Sequence, residues 1–278
     1  MKEKVCLVTG ANAGLGKATA LVLAKMGATV IMVARSQARG EAALAEVRQA
    51  SGSDKVHLLL ADLSSKASVR QLAATVQASY DRLDVLVNNA GAVFQDRQVS
   101  IDGYEMTFSL NHLGYFLLTH LLLDLLKSSA PARIVNVSSG AHTGSKINFD
   151  DIMLAKRYRS FEAYGQSKLA NILFTYELAR RLAGSGVTAN ALHPGGVATE
   201  FAMGEGVMST IFKLLRPFLL TPEQGAQTQI YLASSPEVAD VSGQYFVKKK
   251  PVQSSKISYD TAVAQRLWQL SEELTGFA

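Results

Sequence analysis

Along the first two thirds of the chain, short β-rich apolar runs alternate with longer stretches of helical spacing. Residues 4–8, 29–33, 56–60, 85–87, 133–137 and 187–192 read as strands, and 244–247 as a late seventh. Most of these runs are apolar on both faces, the pattern of parallel strands covered above and below. Helical spacing predicts helices over 15–26, 37–50, 65–79, 103–127 and 164–183, with Gly27 and Gly184 where helices should stop. Strand–helix units in this order, joined by right-handed crossovers, predict an α/β fold. The expected architecture is one doubly wound Rossmann domain over 1–278, with a parallel sheet of about seven strands flanked by helices. Residues 116–126 (FLLTHLLLDLL) are apolar on nearly every side, which marks a helix buried in a core or a subunit interface.

Composition narrows the picture. With 278 residues, 48% hydrophobic and only 6 prolines, the chain can bury a sizeable core and is not a disordered polymer. Its single cysteine, Cys6, excludes a disulfide scaffold and a cysteine-rich zinc module. The apolar run at the start is too short for a signal peptide, and no stretch reaches the ~20 apolar residues of a transmembrane helix, so a cytoplasmic protein is expected. The net charge of +5 is scattered, the one basic run being Lys248-Lys249-Lys250, and no nucleic-acid motif accompanies it; no nucleic-acid partner is expected. None of the histidines (57, 112, 120, 142 and 193) has a partner at metal-ligand spacing, so no metal is expected, and His120 reads as a polar group of the core or interface.

Thr9-Gly10-Ala11-Asn12-Ala13-Gly14-Leu15-Gly16 follows the first strand and opens the first helix. Glycines there allow a tight turn and let backbone N–H groups and a helix N-terminus approach a pyrophosphate. An NAD-binding second strand should end in an acid that meets the adenosine ribose. This strand ends Val33-Ala34-Arg35-Ser36 instead. A guanidinium recognises phosphate bidentately, so Arg35, helped by the Ser36 hydroxyl and less directly by Lys17, points to NADP(H).

Two Tyr-x-x-x-Lys pairs occur. Tyr245 and Lys249 start in a strand-like run, where four residues span about 13 Å, too far for one site. Tyr164 and Lys168 lie in a helical pattern, where i and i+4 share a face. An ammonium there favours the phenolate; moving a tyrosine from ~10 towards 7 takes about 4 kcal/mol, which would make Tyr164 a general acid or base at neutral pH.

The chain resembles the short-chain dehydrogenase/reductases over essentially its whole length. The resemblance rests on the glycine loop, Asp62 in Ala61-Asp62-Leu63, Asn88-Asn89-Ala90-Gly91, Asn111, Ser138-Ser139, Tyr164 with Lys168, and Pro194-Gly195. It implies a catalytic set of Asn111, Ser139, Tyr164 and Lys168, with Ser138 a bland strand-end residue. Hydride would pass between nicotinamide and a carbonyl carbon while Tyr164 protonates the alkoxide, Ser139 hydrogen-bonds its oxygen, Lys168 holds the nicotinamide ribose and Asn111 keeps a water of the proton relay. It also implies cofactor contacts from Gly10, Asn12, Gly14, Leu15, Gly16, Arg35, Ser36, Asp62, Leu63, Asn89, Ala90, Gly91, Tyr164, Lys168, Pro194, Gly195, Val197 and Thr199. Asp62 is expected at the adenine amino group, Asn88 by the ribose and Thr199 at the carboxamide.

Within that family, residues 111–123 (NHLGYFLLTHLLL), 167–182 (SKLANILFTYELARRL), His193-Pro194-Gly195-Gly196-Val197 and 267–276 (LWQLSEELTG) are most similar to the retinol dehydrogenase-like branch. So is the long interval between Ser139 and Tyr164. The branch implies a small hydrophobic aldehyde, ketone or alcohol as substrate, retinal/retinol-like or otherwise lipophilic. The family's interface helix falls on 116–126, so with the apolar face of 168–182 a homodimer or homotetramer is expected. A mobile lid is expected over 200–222, where 207–220 carries apolar residues at helical spacing, with a peripheral membrane contact through Lys213 and Arg216. Two other readings stay open at this point: a dinucleotide-sensing protein without chemistry, and a protochlorophyllide-type reductase.

Overall fold

A computed structural model describes residues 1–196 and 220–277. The strands are β1 (Val5–Thr9), β2 (Thr29–Ala34), β3 (Val56–Leu60), β4 (Val85–Asn88), β5 (Ala132–Val137), β6 (Val187–His193), β7 (Tyr245–Val247) and β8 (Lys250–Val252). They form one eight-stranded sheet in the order β3-β2-β1-β4-β5-β6-β7-β8. All neighbours are parallel except β7 and β8. The chain reverses its direction of winding between β1 and β4, and at such a switch the strand ends open a crevice.

The helices are α1 (Gly14–Lys25), α2 (Gln37–Ser51), α3 (Lys66–Ser79), α4 (Met106–Phe108), α5 (Gly114–Leu121), α6 (Leu123–Ser128), α7 (Ser160–Arg181), α8 (Pro222–Ser234) and α9 (Thr261–Thr275). Alternate strand residues feed two cores. Cys6, Val8, Val30, Met32, Val87 and Val135 pack with Leu23, Val47 and Leu232, on the α1–α2–α8 side. Leu7, Ile31, Val33, Leu86 and Ile134 pack with Leu72, Phe116, Leu117 and Phe174, on the α3–α5–α7 side. This is the period-two alternation of a sheet covered on both faces.

Three elements differ from the sequence expectation. The eighth strand comes from a two-residue turn in which Lys248 and Lys249 both hold positive φ, 50° and 65°. Neither is a glycine, so the usual hairpin signal was missing. The continuous helix expected over 103–127 is broken: α4 passes into a π-helical turn, Ser109–Leu113, before α5, and a further turn separates α6. Gly114 lies against the Leu63 carbonyl, where a Cβ would sit 2.5 Å from that oxygen. Finally, the apolar 116–126 segment finds its partners within the chain. Helix α9 lies across it, with Trp268 5.2 Å from Phe116 and 5.8 Å from Phe174, ring centre to ring centre. His120 is part of this core, its Nδ1 2.8 Å from the Phe116 carbonyl oxygen. Helix α9 therefore covers Phe116 and His120 of the segment that carried the expectation of self-association, while Leu121, Leu123 and Leu125 stay half-buried.

Candidate active site

The crevice at the C-terminal ends of β1, β2 and β4 holds a cleft of about 640 Å³. Its walls include Gly10, Asn12, Gly14, Leu15, Arg35, Ser36, Asp62, Leu63, Asn89, Ala90 and Gly91, all expected from sequence. Gly10 holds φ +64°, and a Cβ on it would lie 2.9 Å from the Ala90 Cα; one on Gly16 would overlap the Gly10 carbonyl. Gly16 is thus the buried packing glycine that lets α1 start against the loop. Helix α1 begins with no side-chain cap, whereas Ser36 and Ser65 cap α2 and α3. Uncapped N–H groups facing a cleft suit an anionic ligand. These residues fit a dinucleotide.

The second-strand end places Arg35 and Ser36 on the cleft, with Arg39 beside them one helical turn on. Arg39, in the first turn of α2, was not foreseen. Lys17 also reaches the cleft, but its ammonium is paired with Glu46 at 2.6 Å. The Asp62 carboxylate is fixed by the backbone N–H and hydroxyl of Ser64, at 2.9 and 2.7 Å. Asn88 is not at the cleft. Its amide donates to Thr119 Oγ1 and Asn136 Oδ1 inside the protein, because consecutive strand residues face opposite sides. Asn89 is the one that turns to the loop, donating to the Thr9 carbonyl at 2.8 Å. Val197 and Thr199, like residues 200–219 of the expected lid with Lys213 and Arg216, lie outside the described residues, and the lid's last residue, Pro222, opens α8 and lines the cleft. The Gly196 carbonyl and the Leu220 N–H meet at 2.9 Å. Pro194 and Gly195 precede that contact, and Gly195 holds φ +93°.

Beyond Gly91 the cleft floor meets the expected catalytic residues: a Cβ on Gly91 would lie 3.1 Å from Asn111 Oδ1 and 3.5 Å from Lys168 Nζ. Tyr164 and Lys168 stand one turn apart on α7, with Nζ 5.6 Å from the phenol ring centre. Ser139, at the end of β5, hydrogen-bonds Tyr164. Burial pushes the Tyr164 phenol up to about 12, against the Ser139 hydrogen bond, and pushes the Lys168 ammonium down to about 7. The lowered phenol pKa expected from an i+4 ammonium is therefore not found in the protein alone; desolvation acts on both groups at once. Lys168 Nζ donates to the Val137 carbonyl at 3.0 Å.

Asn111 lies within the π-helical turn. Its Oδ1 accepts from the Ala92 N–H at 2.9 Å, and its Nδ2 donates to the Ala92 carbonyl and Ser167 Oγ, each at 3.0 Å. The side chain is a strut between the cleft floor and α7. Ser138 is more than a bland strand end: its hydroxyl donates to the Lys168 carbonyl at 2.7 Å and ties α7 to β5. Sequence reasoning also missed His142 and His193. His142 Nδ1 lies 2.7 Å from the Ser139 carbonyl, and its Nε2 accepts from Ser255 N–H at 3.2 Å; His193 Nδ1 accepts from Gly140 N–H at 3.2 Å. Burial holds both imidazoles below their usual pKa, so they are neutral at pH 7. The segment between Ser139 and Tyr164 is anchored as a side wall: Asn148 and Ile152 bond to Gln166, and the Tyr158 hydroxyl donates to the Phe94 carbonyl at 2.7 Å.

The Tyr245–Lys249 pair rejected from sequence falls on β7 and the hairpin turn, with Tyr245 buried and Lys249 exposed.

Comparison with known proteins agrees with this arrangement. The model of the short chain dehydrogenase family matches residues 4–208. Retinol dehydrogenase 12 of Mus musculus is 45% identical over 98% of this chain and 86% of its own. Among solved structures, an uncharacterised protein of Mycobacterium Paratuberculosis superposes with a TM-score of 0.80 at 36% identity, covering 99% of this chain and 94% of that one. The RhlG/NADP active-site complex of Pseudomonas aeruginosa superposes with a TM-score of 0.70 at 29% identity, covering 88% and 94%. With a cleft at the sheet's switch point and a Ser–Tyr–Lys cluster at its inner end, this chain belongs to the short chain dehydrogenase family of oxidoreductases.

Proposed function

We propose that the protein is an NADP(H)-dependent oxidoreductase acting on a hydrophobic aldehyde, ketone or alcohol of the retinal/retinol kind. The observation that carries this reading is the Ser139–Tyr164–Lys168 cluster, joined to the cleft where a Cβ on its wall residue Gly91 would lie 3.5 Å from Lys168 Nζ. The nicotinamide supplies or accepts the hydride. Arg35, Ser36 and Arg39 hold the adenosine 2′-phosphate, Asp62 and Leu63 the adenine side, and Asn89, Ala90 and Gly91 the central stretch. Tyr164 gives a proton to the alkoxide oxygen in reduction. Burial keeps it protonated up to about 12, the right form for a donor. Ser139 donates to the same oxygen, and Lys168, once charged, offsets the phenolate that forms. Asn111 holds the floor in place through its side-chain bonds to Ala92 and Ser167, and the family resemblance gives it the water of the proton relay.

The relatives' name, retinol dehydrogenase, supports a lipophilic substrate, and the Pseudomonas neighbour's bound NADP supports the cofactor. We further propose a cytoplasmic location, which the free, buried thiol of Cys6 supports. Among the described residues, no helix is long and apolar enough to cross a membrane. A homodimer or homotetramer remains our proposal, with contacts outside the α5–α7 face that α9 covers; light scattering at micromolar concentration tests it. The substrate test is cofactor oxidation over aldehydes of graded length, with NADPH and NADH compared. Turnover rising with chain length and with NADPH is expected; turnover confined to short, polar carbonyls would overturn the substrate class.

A further inference from the structure

Behind the catalytic cluster lies a second phenol. Tyr115 is the second residue of α5, directly after the π-helical turn that carries Asn111. It is fully buried, yet its hydroxyl has no hydrogen-bond partner among the described residues. A buried polar group left unpaired costs free energy, and native proteins keep few of them. Its surroundings are specific. Lys168 Nζ lies 5.8 Å from the Tyr115 ring centre and 5.6 Å from that of Tyr164, so both phenols are neighbours of the one ammonium. Of its three donor protons, one is directed to the Val137 carbonyl. Tyr115 and Tyr164 are near enough for charge on one to be felt by the other.

We propose that Tyr115 is a positioning residue for the Tyr164–Lys168 pair, its neutral hydroxyl presenting a dipole that stabilises the charged pair formed when Tyr164 gives up its proton. The inference rests on the reading of Tyr164 as the acid/base. Burial pushes Tyr115's own ionisation well above the usual phenol value, so it acts as a dipole and a ring face, never as a charge. The pair needs such help, because desolvation opposes the charged form of both members. Other ionisable groups around it are Tyr245 on β7, which burial also pushes up, and His142 and His193 beyond Ser139, which stay neutral above pH 7. The alkaline behaviour therefore belongs to Tyr164, Lys168 and their dipoles.

The test is Tyr115→Phe, which keeps the ring and removes the hydroxyl. In alcohol oxidation Tyr164 must accept a proton, so kcat/KM rises with pH. In the variant that rise should move up by about 0.5–1 pH unit, a rate about threefold to tenfold lower at neutral pH. Ultraviolet titration of tyrosinate in the protein should show the same upward move, and thermal unfolding should be unchanged or later, since an unpaired buried hydroxyl has gone. Tyr115→His, which restores a polar ring, should recover part of the shift. Superimposable pH profiles for wild type and Tyr115→Phe overturn the proposal, as does a uniform loss at every pH accompanied by a lower Tm. Tyr164→Phe is run beside them: if it keeps activity, the acid/base reading itself has failed, whatever Tyr115 does.

Discussion

At the residue scale, the proposed preference for NADP(H) rests on two side chains. Arg35 and Arg39 share the cleft wall at the end of β2, and Lys17 is engaged by Glu46. Hydrogen bonds to charged groups contribute about 1.5–3 kcal/mol each, the lower end at an exposed site like this one. Arg35→Ala should therefore reduce the NADPH-to-NADH ratio of kcat/KM about tenfold, and adding Arg39→Ala should reduce it further, with NADH kinetics little changed. An unaltered ratio would show that the phosphate is read elsewhere. The place of Arg35 on the cleft wall and the closeness of Tyr164 and Lys168 were legible in the sequence, because both follow from local spacing. Asn88 was misassigned because two adjacent asparagines look alike in a string, while a strand turns one to the cleft and the other to Asn136. The Tyr115 hydroxyl carried no sequence signal at all, since lacking a partner among the described residues is a property of three-dimensional packing.

At the element scale, the strands and the crossover helices were legible because burial on both faces writes continuous apolar runs. The π-turn was not, for Ser109-Leu110-Asn111-His112-Leu113 keeps an ordinary helical pattern and is set by contact with Leu63 and Ala92. Helix α9 was recognised only as a family-like stretch, and its role as a cover followed from the fold. Trp268 is 5% exposed, meets Phe116 and His120 edge to face and Phe174 at a tilt, and lies under the Arg181 guanidinium at 4.0 Å. Trp268→Ala should cost about 3–5 kcal/mol in urea unfolding. It should also raise self-association in size-exclusion chromatography, because it bares an apolar face of α5 and α7. A loss under about 1 kcal/mol with no change in elution would mean that α9 is not what covers this face.

At the scale of the whole molecule, the β1–β4 switch does two jobs. Its upper end opens the cleft, and its lower end is clamped by Asp84, whose carboxylate is 2% exposed and bonds Lys4 Nζ, Arg82 and the Val5 N–H. Burial by itself would raise the Asp84 pKa, but those bonds outweigh it and hold the carboxyl below its usual range. A depressed folded-state pKa adds stability that is present above the unfolded value of ~3.9 and is lost as pH falls through the folded one. Asp84→Ala should therefore be about 2–3 kcal/mol less stable than wild type at pH 7. The gap should narrow as the pH falls below about 4; a gap independent of pH would mean that the ion cluster adds nothing. None of this clamp touches the cleft, so the variant should retain wild-type turnover at temperatures where it stays folded. If a cleft shaped for a dinucleotide delivers its ligand to Tyr164, removing that one hydroxyl should stop the chemistry and spare binding. Tyr164→Phe, assayed for NADPH oxidation with a lipophilic aldehyde and for NADPH affinity by fluorescence titration, should lose at least about a hundredfold in kcat while binding NADPH as tightly as wild type. Turnover near that of wild type would contradict the account, because the proton would then come from another group.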